Sequence, residues 1–240
     1  MILPWRIDLS QRQLRPEWMD RPDVDPREHA VALRALERVN WISGSHYPIW
    51  RAIRALAHRG SGDPIRVLDV ACGGGDITVN LARAAKRARV NVTVAGCDLS
   101  ETAIAFASQR AAHAGMDCRF FRFDVLHDAW PTDYDVIYSS LFLHHLESAE
   151  AESVLTHMGR SARRMVIVND LVRGKLGYFL ARVGCLVLTR SPIVHYDGPV
   201  SVAGAFTPDE LREMAVRSGM SGATVSRVWP QRMLLVWNRP

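Results

Sequence analysis

Val67-Leu68-Asp69-Val70-Ala71-Cys72-Gly73-Gly74-Gly75-Asp76 decides how this chain is read. The apolar run Val67 to Val70 has the pattern of a strand buried on both faces. It ends in an acid and a three-glycine turn, and a helical pattern over Ile77 to Ala88 follows at once. Strand, glycine turn and helix are the first half of a βαβ unit, whose ligand binds beyond the carboxyl ends of the strands. Glycine lets a backbone approach a ligand with no Cβ in the way. A dinucleotide cradle needs a third small residue where Thr78 stands, and no Gly-Lys-Ser/Thr follows to make a phosphate loop.

Working outward, the same alternation recurs. Strands are expected over Arg66–Val70, Asn91–Cys97, Cys118–Phe123, Tyr134–Ser139 and Met165–Asn169. Helices are expected over Asp76–Arg87, from the Ser100 cap to just before Gly115, and over Ala149–Met158. Regular βα alternation means a parallel sheet with helices on both faces. Upstream, residues 1 to about 24 read as an irregular arm, with Pro4, Pro16 and Pro22 blocking long helices. Asp25-Pro26-Arg27-Glu28 opens a helix to about Val39, which Asn40 to Gly44 breaks, and a second helix runs over Pro48–His58. The turn Gly60-Ser61-Gly62-Asp63-Pro64 divides this extension from the α/β core. Downstream, an apolar helix is expected over Leu176–Leu188, then a loop holding Pro192, Gly198 and Pro199. Thr207-Pro208-Asp209-Glu210 caps another helix, and strands Ala223–Val228 and Met233–Trp237 close the chain as a hairpin.

Asp69-x-Ala71-x-Gly73-x-Gly75 resembles motif I of the Rossmann-like S-adenosylmethionine-dependent methyltransferases, over residues 64 to 238. The resemblance implies an α/β fold: a mostly parallel, seven-stranded sheet ending in an antiparallel hairpin, here with an N-terminal helical extension. It implies two parts, an arm and helical lid over 1–62 and a cofactor-binding domain over 63–240, with 171–206 as an acceptor-covering insert. The implied cofactor is S-adenosylmethionine, giving S-adenosylhomocysteine. Asp98 ends the second strand, where a carboxylate accepts hydrogen bonds from ribose hydroxyls. By the resemblance, Asp69 serves the ligand's amino group, Asp124 receives the adenine amino group, and Val125 offers a backbone N–H to the base. Ala71, Gly73, Gly75, Leu99 and Ser140 complete the expected cofactor set.

Ser139-Ser140-Leu141-Phe142-Leu143-His144-His145-Leu146 follows the fourth strand, the position that faces methyl and acceptor. It lacks the Asp/Asn-Pro-Pro-Tyr/Phe of nucleic-acid amino methyltransferases and resembles small-molecule enzymes of the quinone-biosynthesis type. A magnesium site of the catechol type lacks its first carboxylate, so no metal is expected. An imidazole titrates near neutrality and takes a proton from a phenol or hydroxyl, which makes His144 or His145 the candidate base. His195-Tyr196-Asp197 is a second candidate pair, with Asp197 setting the tautomer of His195.

Composition sets the remaining bounds. In 240 residues, 48% are hydrophobic, enough for a sizeable core. The formal net charge is +5, and the arginine runs at 83–89 and 160–164 fall at helix ends, where cations suit the helix dipole. Cys72, Cys97, Cys118 and Cys185 show no metal or disulfide spacing and read as small buried hydrophobes. No leader and no membrane span is expected, so the expectation is a cytoplasmic enzyme. The expected reaction is O-methylation of a small, aromatic or lipid-like acceptor, in a branch tied to polyketide or phenolic-lipid pathways. C-methylation of a quinone or polyketide ring, and RNA or protein methylation, are the alternatives. Nucleic acid is not an expected partner, and a homodimer is compatible with the sequence.

Overall fold

The structure is a computed structural model that describes residues 7–19, 21, 24–58 and 64–240. Residues 60–63 of the turn expected at 60–64, the first six residues of the arm and Pro22 lie outside the described residues. The strands are β1 (Ile65–Val70), β2 (Val92–Asp98), β3 (Arg119–Arg122), β4 (Val136–Ser140), β5 (Met165–Leu171), β6 (Thr224–Val228) and β7 (Arg232–Asn238). The helices are α1 (Pro26–Ile42), α2 (His46–Ala57), α3 (Asp76–Ala88), α4 (Glu101–His113), α5 (Ser148–Ser161), α6 (Lys175–Leu188), α7 (Pro192–Gly204) and α8 (Pro208–Arg217).

One seven-stranded sheet has the order β3-β2-β1-β4-β5-β7-β6. β1 to β5 pair parallel, and β7 inserts antiparallel between β5 and β6. This is the α/β sheet expected from the alternation, with its closing hairpin. Strand order reverses between β1 and β4, and a ligand crevice opens at such a switch point.

Alternate side chains of the strands feed two cores. Leu68, Val70, Ile137 and Val166 pack with Val154, Leu155 and Leu211 of α5 and α8. Val67, Val136 and Ile167 pack on the other face with Ile77 and Leu81 of α3 and with Ile49, Trp50 and Ile53 of α2. Each fully buried aliphatic side chain contributes about 1.5–3 kcal/mol. α2 therefore belongs to the sheet's own core. A third, smaller core joins Ala32 and Ala35 of α1 to Cys185 of α6 and Ile193 and Val194 of α7. Helical extension and insert thus meet in one cap.

Local chemistry sets the helix ends. Asp25 Oδ1 accepts from the Arg27 N–H at 2.7 Å, Ser100 Oγ from Ala103 at 3.2 Å, and Thr207 and Glu210 form a capping box. The break expected at Asn40 falls later: α1 continues to Ile42 and Gly44 turns the chain at φ +62°. The larger difference is at 192–204. The expected loop is a helix, with Ser191 as its cap, Pro192 at its first position and Pro199 inside it. A Cβ on Gly198 would lie 2.5 Å from Cys185 Sγ. The Gly-Pro pair read as a loop signal is therefore what lets α7 lie close against α6. All four cysteines are free. Among the described residues no helix is long and apolar enough to cross a membrane.

Candidate active site

The residues after β1 and β4, side by side at the switch point, both take left-handed backbone without being glycine: Ala71 at φ +56° and Leu141 at φ +57°. Each costs about 1–2 kcal/mol, and such strain gathers at functional sites. Gly73 and Gly75 turn at φ +51° and +68°. A Cβ on Gly75 would stand 2.7 Å from Ala107 Cβ, so this glycine serves the packing of α3 on α4. A Cβ on Gly73 would meet nothing within 4 Å, so its face is open.

The acids sit at or just past the carboxyl ends of their strands: Asp69 is penultimate in β1, Asp98 ends β2, and Asp124 lies two residues beyond β3. Asp69 is 2% exposed, and the Thr78 hydroxyl donates to its Oδ2 at 2.6 Å. Burial pushes its carboxyl up to about 7, against the lowering effect of the Thr78 and Tyr138 hydroxyls. Tyr138, its register partner on β4, is fully buried with its hydroxyl directed at the same carboxyl. Asp98 bridges the glycine turn to α4: Oδ2 accepts the Gly73 N–H at 2.8 Å and Oδ1 the Ser100 N–H at 2.9 Å. Leu99 beside it is exposed. Asp124 accepts the Leu126 N–H at 2.9 Å and pairs with His127 Nδ1 at 3.0 Å, and these bonds hold its carboxyl below the ordinary range. Val125 packs against the core under it. Ser140 Oγ lies 3.0 Å from Asn169 Nδ2, which donates to it. Ser139 Oγ and Asn169 Oδ1 are buried with no hydrogen-bond partner at the same strand ends.

The two histidines sit in a short 3-10 turn, Leu143–His145, directly after β4. His144 is 4% exposed, and its Nδ1 lies 2.6 Å from Oδ1 of Asp170 at the end of β5. Burial alone would raise the Asp170 carboxyl, but the charge and hydrogen bond of His144 outweigh it and hold it below the ordinary value. Asp170 is therefore a carboxylate, and Nδ1–H of His144 donates to it. That leaves Nε2 facing Glu17 Oε1 at 3.7 Å. His145 is partly exposed, its ring 4.3 Å from that of His144. Both histidines line a cavity of ≈ 260 Å³ with Leu14, Glu17, Glu147 and Val200.

The arm reaches this cavity because polar groups tie it there. Arg12 donates to the carbonyls of His144 at 3.0 Å, Leu146 at 2.5 Å and Gly204 at 2.5 Å. Asp197 of α7 accepts the N–H groups of Trp18 and Met19 at 2.8 and 3.1 Å. Asp197 thus anchors the arm, while His195 Nε2 faces the Thr189 carbonyl at 2.9 Å. The pair expected at 195–197 is not brought together. Sequence reasoning missed Glu17 and Arg12, which sit in an irregular arm with no local pattern. It also missed the pairing of Asp170 with His144. Adjacent parallel strands ending together, β4 beside β5, were the signal that would have found it.

Residues 67–164 match the family model described as "Methyltransferase domain". The sequence has no match among curated proteins. Among solved structures, the chain is similar to the magnesium protoporphyrin IX methyltransferase of Synechocystis PCC 6803 with bound S-adenosylhomocysteine. The identity is 20%, over 82% of this chain and 84% of that one, with a TM-score of 0.57. It is also similar to a putative O-methyltransferase of Nostoc punctiforme PCC 73102, at 19% identity over 88% of this chain and 61% of that one, TM-score 0.62. A third likeness is to the DszA carbon methyltransferase, at 12% identity over 92% and 62%, TM-score 0.65. At these identities the likeness is one of fold.

Proposed function

We propose that this member of the S-adenosylmethionine-dependent methyltransferases, by its domain over residues 67–164, methylates a phenolic or hydroxyl oxygen of a small, largely apolar acceptor. The observation that carries the acceptor half is the buried His144–Asp170 pair, opening with His145 on a cavity partly lined by Leu14 and Val200. A carboxylate that fixes one imidazole nitrogen leaves the other to take a proton.

The cofactor, when bound, supplies an electrophilic methyl group. The open face of Gly73, the strained Ala71 and the strand-end acids support a cradle for it. Gly75 sets the turn. Asp98, fixed by the glycine turn and α4 at the end of β2, stands where a carboxylate takes ribose hydroxyls. Asp69 faces the cofactor's positive groups, and the unpartnered Asn169 Oδ1 is a further acceptor beside Ser140. Asp124, Val125 and the exposed Leu99 would border the base. The arm, α6 and α7 hold the acceptor and exclude water, so that alignment carries much of the acceleration. In this reading the arm, α1 and 171–206 act together as the acceptor cover, α2 packs with the sheet, and the domain over 63–240 binds the cofactor.

Calorimetry with S-adenosylmethionine, S-adenosylhomocysteine and NAD tests the cofactor half. The first two bind, and Asp98→Ala weakens them roughly tenfold or more. Binding of NAD alone overturns the reading. Labelled methyl transfer to a panel of phenols tests the acceptor half. Likeness to the DszA carbon methyltransferase favours a second reading, methylation at ring carbon. Locating the methyl in the product separates the two.

A further inference from the structure

Glu17, His144 and His145 bring three metal-ligating atoms within 4.8 Å of one another. Glu17 Oε1 stands 3.7 Å from His144 Nε2 and 3.9 Å from His145 Nδ1. Both separations are too long for hydrogen bonds. Ligand atoms held at about 2.0–2.2 Å around one tetrahedral cation stand roughly 3.4 Å apart, so the two Glu17 separations need to close by a few tenths of an ångström and the two histidine nitrogens by at most about 1.4 Å.

What surrounds the three atoms points the same way. The far nitrogen of His144 is fixed by Asp170 at 2.6 Å. A carboxylate on the outer nitrogen is the usual partner of a metal-bound imidazole, setting its tautomer and raising its basicity. Glu17 is oriented too: the Ser201 hydroxyl donates to its Oε1 at 2.6 Å. Glu17 and His144 are almost fully buried, with side chains 7% and 3% exposed, while His145 faces the cavity. An ion between them would have three protein ligands and one open side. That is the plan of a catalytic rather than a structural site.

We propose that Glu17, His144 and His145 form a site for a divalent cation of the zinc class, whose open position takes the oxygen of the methyl acceptor. Two imidazoles and one carboxylate select a cation of intermediate softness, such as zinc or cobalt(II), over magnesium, which prefers an all-oxygen shell. An acceptor hydroxyl bound there loses its proton to water. The O–H bond breaks, and its electron pair stays on the oxygen that the cation holds. The histidines are then ligands, and activation of the acceptor passes from a general base to the ion. The acceptor part rests on the methyltransferase reading; the cation part does not. The site also gives the arm a purpose, since Arg12 and Asp197 hold Glu17 over the histidines.

The test is a titration of the chelator-treated full chain with cobalt(II), followed by visible absorption and competed with zinc(II) and magnesium(II). Affinity for S-adenosylmethionine is measured on the same samples by calorimetry. One equivalent of cobalt(II) is expected, with the intense bands of low coordination, displaced by zinc and not by magnesium. Glu17→Gln and His145→Asn each weaken it about ten- to a hundredfold, with far-ultraviolet dichroism unchanged. Absence of a cobalt spectrum in the wild-type chain, or an unchanged affinity in folded Glu17→Gln, overturns the site. Cobalt binding without any S-adenosylmethionine binding leaves the site standing and sinks the methyl-transfer reading. The reverse pattern sinks the site alone.

Discussion

Two glycines of one turn answer to different physics. A Cβ at position 75 meets Ala107 at 2.7 Å and the Phe120 ring at 3.1 Å, in a backbone at φ +68°. Gly75→Ala is therefore expected to cost about 1–3 kcal/mol, read by denaturant titration. At Gly73 the space is open, so Gly73→Ala pays only the backbone cost of about 1 kcal/mol. It fills the face the cofactor needs, so its S-adenosylmethionine affinity falls at least tenfold by calorimetry. Equal affinity in the two variants would argue against the cradle. Asp69 adds a pH dependence. Its folded carboxyl is raised to about 7 from an ordinary 3.8 by burial. The folded state thus holds a proton that the unfolded chain has lost, and this group's contribution to ligand-free stability declines as pH climbs from about 4 to about 7. A cationic ligand favours the carboxylate, so cofactor affinity is expected to rise about tenfold per pH unit below 7 and level off above it. Asp69→Asn flattens that profile.

At the scale of elements, the ends of β4 and β5 bring His144 and Asp170 together, and only part of that was legible. The strands, their order of use and the glycine turn follow from apolar runs and breakers, because a parallel sheet buried on both faces leaves that imprint. The acids at or just past the ends of β1, β2 and β3 were legible for the same reason. α7 was not: its Gly198-Pro199 sits in a helix because close packing on α6 outweighs local propensity. Asp170 was visible as a residue but not as the partner of His144, because the contact is made across strands. Asp170→Asn keeps the size and removes the charge. It is expected to lower kcat about ten- to a hundredfold, with KM and cofactor affinity near wild type. An unchanged kcat would reduce the pair to a structural hydrogen bond. The arm is held mainly by Arg12, which also lies 4.0 Å over the Phe206 ring. In Arg12→Ala, chymotryptic cleavage after Trp18 is expected to quicken and acceptor KM to rise, with cofactor affinity unmoved.

For the whole molecule the distribution of buried apolar surface predicts where it opens. The two cores flanking the sheet are large and bind β1, β4 and β5 into the centre. The core joining α1, α6 and α7 is small, with alanines and one cysteine among its buried members. Exposed apolar side chains flank it, including Trp41, Phe179 and Val187. Opening free energy tracks buried apolar contact, so the cap belongs to the low-stability end of the protein. The arm adds mostly polar ties, from Arg12, Asp197 and the Ser201–Glu17 bond, which water can replace one by one. By the proposed reading, an acceptor held between the arm and α7 needs such an opening for entry and release. Amide hydrogen exchange is therefore expected to be faster by orders of magnitude in residues 8–19 and in α6 and α7 than in the central strands, by local opening. S-adenosylhomocysteine should slow exchange in the glycine turn and the start of α4, where Asp98 ties the two. Slowing over the arm and α7 should require an acceptor or, by the cation proposal, cobalt(II) or zinc(II) alone. Uniform exchange across cap and sheet would mean that cap and sheet unfold as one unit, leaving acceptor entry to a path that the cap does not control.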